Sequence, residues 1–429
     1  MKQESGLSPD PVGVSDLMVL NTPPTFGYRS PTPEYRASTA EQHGDPSSRP
    51  RPLLVCFSHL RWNFVRQRPQ HLLTRAAKRF DVLFIEEPVF EAGGTARLKR
   101  EGVGPSLEVL VPIVDPADTQ SLTQVLHGLV ARELDGSRHR TRVFWYYTPA
   151  ALAFTQTLHR DLTIYDNMDE LSAFRGASDA LVSQERTLLA TADLVFTGGY
   201  SLYAAKRDAH PDIHCFPSSV ETAHFARARH GTTPDPADQA ALARPRLGFF
   251  GVVDERFDAD FLAQFADLRP EWQFVILGPV VKIDPAELPK RPNIHWLGPK
   301  LYDDLPDYLA HWDLGLMPFA LNAATRFISP KKTPEFLAAG LPVISTPIVD
   351  VVRGYGEAGL VEIADTPGTA VLAAEALMAR ARAPWLARVD ARLAGDSWDR
   401  TWADMEARMM AVLGEPMSDS PRPVLRETV

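Results

Sequence analysis

Short apolar runs alternate with helix-length amphipathic stretches along most of this chain, and the alternation starts twice. In the first half the runs fall at 53–57, 82–86, 107–112, 143–147, 163–166, 194–197 and 213–216. They are apolar on both faces, so each needs cover on both sides, which a parallel sheet with crossover helices supplies. Helical patterns fill several of the gaps, notably 69–79, 121–134 and 180–190. A Pro-, Asp- and Ala-rich stretch near 229–243 interrupts the rhythm. It resumes with runs at 247–253, 273–277, 294–297, 314–317, 343–345 and 361–364. The expected class is α/β, in two halves with a hinge between them.

Both ends depart from this pattern. Residues 1–50 are rich in Pro, Ser, Thr and Glu without periodicity, a composition that buries too little surface to offset its ordering entropy. The expected organisation is a disordered tail at 1–50, a first domain at 51–228, a linker at 229–244 and a second domain at 245–395. A helix at 396–414 and a flexible tail at 415–429 complete it. Trp398, Trp402, Met405 and Met409 recur at helical spacing and read as a packing stripe.

Bulk properties narrow the function classes. At 429 residues, with 45% hydrophobic and 23% charged content, the chain can build two large cores. A net charge of −9 argues against binding nucleic acid through bulk electrostatics. Cys56 and Cys215 are the two cysteines, both in apolar runs, and read as reduced thiols. No Cys/His spacing suggests a structural metal. Neither a signal peptide nor a membrane span is evident, so a cytoplasmic location is expected.

The stretch from Ser329 to Val343, SPKKTPEFLAAGLPV, carries the most chemistry. Ser329 suits a helix cap, Pro330 a first helical position, and Gly340 with Pro342 a helix stop. Phosphate sits well at a helix N-terminus, and Lys332 adds a full charge there. Glu335, one turn on, can accept hydrogen bonds from vicinal ribose hydroxyls. Together these residues describe a pocket for a nucleoside diphosphate; an ordinary solvated helix with a Lys–Glu pair fits the same letters.

Other candidates lie at the ends of strand-like runs, where open α/β sheets bind ligands. Gly251 forms a turn that lets backbone approach a phosphate, and Arg256 can clamp a diphosphate in bidentate fashion. Lys282 follows a second Gly-containing turn. Asn322, Thr325 and Arg326 lead into the Ser329 helix. In the first half, Asp166 and Asp169 follow the 163–166 run, where a carboxylate can act as general base or merely cap a helix. Between 61 and 80 there are six basic residues and no acidic one, with Leu72, Leu73, Ala76 and Phe80 as an apolar stripe. That helix could rest on an anionic bilayer or bury the stripe in a core.

With these residues in place, the chain resembles a GT-B glycosyltransferase of family 4, also called group 1. Pro330, Lys332, Glu335, Ala338, Gly340, Pro342 and Val343 are similar to that family's donor motif. RPQHLL, YDNMDELSAFRG, FPSSVE, GFFGVVDERFD and LGPVVKI resemble, more narrowly, the bacterial subgroup of teichuronic acid biosynthesis-type transferases. The resemblance implies two Rossmann-like domains facing across a cleft. It implies a nucleotide-sugar donor held by Arg256, Lys332 and Glu335, and a glycan or lipid-linked acceptor in bacterial surface polysaccharide synthesis. No cofactor or metal is expected. Retaining members often carry a glutamate eight positions before the one at Glu335, where this chain has Phe327; an Asp169 base would fit inversion instead. A nucleotide-sugar epimerase and a non-catalytic nucleotide-binding subunit are the alternatives.

Overall fold

The computed structural model describes residues 51–414, apart from 138, 140 and 232. The tails at 1–50 and 415–429, expected to be disordered, lie outside the described residues. The described chain forms two compact units. One gathers residues 51–65, 73–167 and 171–195, and the other 66–72, 168–170 and 196–414.

In the first unit, β1 (Leu53–Ser58) pairs in parallel with β2 (Asp81–Glu86). Past β2 lies β5 (Leu107–Val114), parallel to it, which also pairs with the two-residue β3 (Val89–Phe90) in parallel and with β4 (Arg97–Gly104) antiparallel. On its other side β1 pairs with β6 (Arg142–Tyr146), which pairs with β7 (Leu162–Asn167), all parallel. β8 (Leu194–Thr197) follows β7 in the sheet. Every residue of β1 and β7 is buried, as expected of strands covered on both faces.

Helix α1 (Arg68–Ala76) spends its apolar stripe on the core. Leu72, Leu73, Ala76 and Phe80 are each 0% exposed. Of the two readings open for residues 61–80, the apolar stripe follows the core one, since none of its four side chains is exposed. No helix among the described residues is long and apolar enough to cross one.

The second unit contains a short strand, β9 (Ile213–Cys215), and helix α2 (Tyr200–Lys206). Its sheet is six parallel strands in the order β12-β11-β10-β13-β14-β15. These are β10 (Arg246–Phe250), β11 (Gln273–Leu277), β12 (Ile294–Gly298), β13 (Leu314–Met317), β14 (Val343–Ser345) and β15 (Glu362–Ile363). Two central strands carry glycines where aromatic rings lie flat on the sheet. A Cβ on Gly248 would fall 2.0 Å from the Trp312 ring, and one on Gly315 would fall 2.9 Å from Phe336.

Helix α3 (Lys332–Ala338) brings Phe336 to that sheet. Its end is a Schellman turn, with Leu341 N–H donating to Phe336 O at 3.0 Å and Gly340 N–H to Leu337 O at 2.9 Å. Gly340 has φ +76, the left-handed value expected of the stop residue. Arg229 adds a further cap by donating to Ala338 O at 2.6 Å. The 229–244 stretch is held in place through Gln239, which is 0% exposed and accepts from Trp312 Nε1 at 2.9 Å. After helix α4 (Arg382–Leu393), helix α5 (Trp398–Leu413) buries Trp398, Trp402, Met405 and Met409, the stripe read as packing surface.

Candidate functional site

The C-terminal ends of β10, β11 and β13 meet α3 at a point where backbone replaces side chains. Gly251 follows β10 with φ +135, and a Cβ there would fall 2.0 Å from Lys332 Cε. Gly278 follows β11 with φ +139, and its Cβ would strike Gly251 O at 1.8 Å. Both positions therefore require glycine, for conformation and for space. The lysine chain occupies the room that Gly251 leaves. Lys332 Nζ lies 5.5 Å from the Phe249 ring centroid and 5.9 Å from that of Phe319.

Arg256 is fixed by the loop it sits in. Asp254 takes hydrogen bonds from Arg256 Nε at 3.0 Å, Arg256 Nη2 at 2.6 Å and the Arg256 backbone N–H at 3.0 Å. Asn322 Nδ2 donates to Glu255 O at 2.9 Å, and Ala320 N–H donates to Arg256 O at 2.8 Å. Burial pulls the Asp254 carboxyl up, but the Arg256 guanidinium outweighs it and holds Asp254 below the usual carboxylate range.

Asp169 belongs to the second unit by its contacts. Burial raises its carboxyl above the ordinary value, against the pull of Arg256 and with a further push from Asp254. Lys332 has the opposite problem. Burial, with repulsion from Arg256 and Lys331, lowers its ammonium to about 8 despite Glu335 and Asp254. The cluster is thus Asp254, Arg256, Asp169 and Lys332, with one cation under-compensated.

Glu335 is 2% exposed, far more buried than a solvated Lys–Glu pair would require. One oxygen, Oε1, accepts from Lys331 Nζ at 3.1 Å; the other, Oε2, is buried without a hydrogen-bond partner. Lys331 Nζ also donates to Arg66 O at 2.7 Å and lies 5.6 Å from the Tyr302 ring centroid. Tyr302 has a second buried, unpartnered oxygen in its hydroxyl, and its ring stacks on His224 at 4.4 Å. Each buried polar atom left unpaired costs on the order of 1–3 kcal/mol, so such an atom beside a cation cluster points to a ligand that completes it.

The structure gathers Gly251, Arg256, Lys332, Glu335 and Asp169, and it moves other candidates elsewhere. Ser329 does not cap α3. The cap position is Lys331, which makes no side-chain cap bond, while the Ser329 hydroxyl bonds Asp350. Because α3 has seven residues, its positive charge comes from lysine side chains more than from a helix dipole. Thr325 is 2% exposed, and its hydroxyl donates to Ala320 O, bracing the loop instead of facing a ligand. Lys282 is exposed, with a left-handed φ of 61. Asp166 is buried in β7 of the first unit, where its charge helps raise the Cys56 thiol already raised by burial. Tyr302, Arg66 and the anchoring role of Asp254 were missed. The i,i+4 spacing of Lys331 and Glu335 was the one local signal for part of this network.

Among the described residues no group of three or more His, Cys, Asp or Glu is arranged to hold a metal ion.

Comparison with known proteins matches residues 244–380 to the family described as Glycosyl transferases group 1. The Bacillus subtilis (strain 168) protein TuaH, named as a teichuronic acid biosynthesis glycosyltransferase, is 26% identical over 241 residues. That match covers 52% of this chain and 59% of TuaH's length. Sucrose-phosphate synthase from Thermosynechococcus elongatus superposes with a TM-score of 0.63 at 13% identity, over 85% of this chain and 100% of that one. The E. coli trehalose-6-phosphate protein bound with UDP-2-fluoro glucose gives 0.59 at 13%, over 84% and 98%.

The lowered Lys332 ammonium has a testable consequence. Over the window from about 8 to its ordinary 10.5 the unfolded chain binds the proton that the folded chain has lost, so stability rises with pH there. Urea midpoints should show wild type gaining on Lys332→Met across that window, with a constant difference below it. A constant difference throughout would mean the ammonium is not desolvated. Taken together, these comparisons show a chain of the GT-B fold whose residues 244–380 match the group 1 glycosyl transferase family.

Proposed function

We propose that the chain is a glycosyltransferase that moves a sugar from a nucleoside-diphosphate sugar to a hydroxyl of a glycan or lipid-linked acceptor in bacterial surface polysaccharide synthesis. The observation that carries this reading is the pairing of an under-compensated cation, Lys332, with a buried carboxylate oxygen of Glu335 that lacks a partner. The first suits a diphosphate and the second a ribose hydroxyl, and three residues separate them on one helix. The UDP-2-fluoro glucose carried by the E. coli neighbour supports the donor class, and the name of TuaH supports the product class.

In this mechanism Arg256 and Lys332 offset the charge that develops on the departing diphosphate. The Gly251 turn brings backbone close without a side chain in the way. Glu335 holds the ribose. Asp169, with its raised carboxyl, takes the acceptor's proton as the glycosidic bond forms. Two cations supply the positive charge, and the proposal includes no divalent metal and no cofactor.

Three measurements test it. In thermal-shift titrations with UDP, GDP, dTDP and ADP, at least one nucleotide should stabilise the protein. Glu335→Gln should weaken that nucleotide about tenfold to a hundredfold, the range expected for a lost hydrogen bond to a charged group, with little change in the unliganded midpoint. Equal affinity in the variant removes the ribose role. Asp169→Asn should lower turnover by about 10²–10⁴ with unchanged nucleotide affinity, and wild-type activity should fall as acidification protonates Asp169. Donor consumption should need an acceptor and persist in EDTA; acceptor-free conversion of the sugar nucleotide would indicate an epimerase, and loss in EDTA restored by Mg²⁺ would overturn metal independence.

A further inference from the structure

The second unit holds another concavity, of about 160 Å³. That is roughly ten times the ~10–15 Å³ that admits one water molecule. Thr333 and Pro334 of α3 line it, at about 100° and 200° around the helix from Lys332. It therefore opens on a different face of α3 from the cation cluster. None of the residues assigned above to diphosphate, ribose or proton transfer lines it.

Its walls alternate hydrogen-bond acceptors, donors and aromatic rings. Arg392 donates to Asp396 at 2.8 Å and lies 5.1 Å from the Tyr355 ring centroid. Asp350 accepts from the backbone N–H groups of Tyr200 at 2.8 Å and Ser201 at 2.9 Å. Arg400 and Asp404 add a second, looser pair, 3.9 Å apart, on α5. Tyr355 belongs to a π-helical turn, Val352–Gly356, a wide turn found frequently at functional sites. Ser219, 5% exposed, also lines the cavity, and its buried hydroxyl has no hydrogen-bond partner.

Charge decides what class of molecule fits. Three carboxylates line the cavity, Asp350, Asp396 and Asp404, together with the two guanidinium groups of Arg392 and Arg400. A phosphate would meet the carboxylates and an ammonium the two guanidinium groups, so an ion of either sign meets like charge. A neutral ligand rich in hydroxyls can bond to both without leaving a charge uncompensated. Tyrosine faces suit the apolar C–H side of a pyranose ring. We propose that this cavity binds one neutral sugar residue of a glycan through its hydroxyls. The proposal goes beyond the donor site and does not depend on it.

Saturation-transfer NMR on the full chain, with methyl β-glucoside, N-acetylglucosamine and maltose as probes, tests it directly. At least one probe should receive saturation, undiminished by excess UDP or inorganic phosphate. Thr401→Trp, which fills the cavity from α5, should remove most of that signal while leaving any UDP-induced thermal shift as in wild type. Ser219→Ala should weaken the probe about threefold to tenfold, and it decides the matter if the tryptophan variant does not fold. Absence of saturation from all three probes, its loss with UDP or phosphate, or its survival in both variants would overturn the proposal. Saccharide binding without any nucleotide shift would instead reject the donor reading alone.

Discussion

Two neighbouring cations, Arg256 and Lys332, of which Asp254 clasps only the first, set the terms for the second unit. Asp254 accepts three hydrogen bonds from Arg256, so that the partly buried guanidinium keeps a close counter-charge. Lys332 receives no equivalent partner. Its chain runs along the backbone of Gly251 between two phenylalanine rings, and its ammonium is lowered to about 8. A cation left without a close carboxylate in this way favours an anion over water, because the anion returns what burial removed. The surrounding architecture serves this arrangement: parallel strands end together, glycine turns clear the space, and α3 is stopped after seven residues so that its start faces those turns.

Glu335 extends the same logic from charge to hydrogen bonding. Lys331 satisfies one of its oxygens and leaves the other buried and unpaired. Lys331 is itself held by Arg66 O, 265 residues away in sequence. The carboxylate is therefore oriented before any ligand arrives, which reduces the ordering that binding must impose. Asp169 is tuned in the other direction. Burial favours its neutral form while Arg256 favours the charged form, a balance that suits the proton-accepting role proposed for it. The polar cavity on the other face of α3 differs in kind, since charges of both signs line it and its capacity lies in hydrogen bonds.

Much of this was legible because periodicity and punctuation are local. Strands apolar on both faces announce a parallel sheet, and Gly340 followed by Pro342 announces a helix stop that proved to be a Schellman turn. The proposed donor site stood out for the same reason: Lys332 and Glu335 are three positions apart on one helix. Ser329 and Thr325 show where such reading fails. Each has the right chemistry and the right neighbourhood, yet one hydroxyl is spent on Asp350 and the other on Ala320 O. A hydroxyl bonds to whatever lies nearest in space, and sequence spacing does not report that. The basic 61–80 segment fails similarly, since an amphipathic stripe suits a membrane and a core equally well; in the fold the stripe is fully buried.

The sequence by itself determined the α/β class, the two sheets, the helix that carries Lys332 and Glu335, and the need for glycine at 251, since these follow from period, turn chemistry and spacing within a few residues. Only the tertiary structure decided that Asp254 and not solvent pairs with Arg256, that Asp169 joins the cation cluster while Asp166 stays in a strand, and that Glu335 keeps one oxygen unpaired. Those outcomes depend on which groups lose water together, and desolvation is a property of the packed molecule, not of any stretch of its chain.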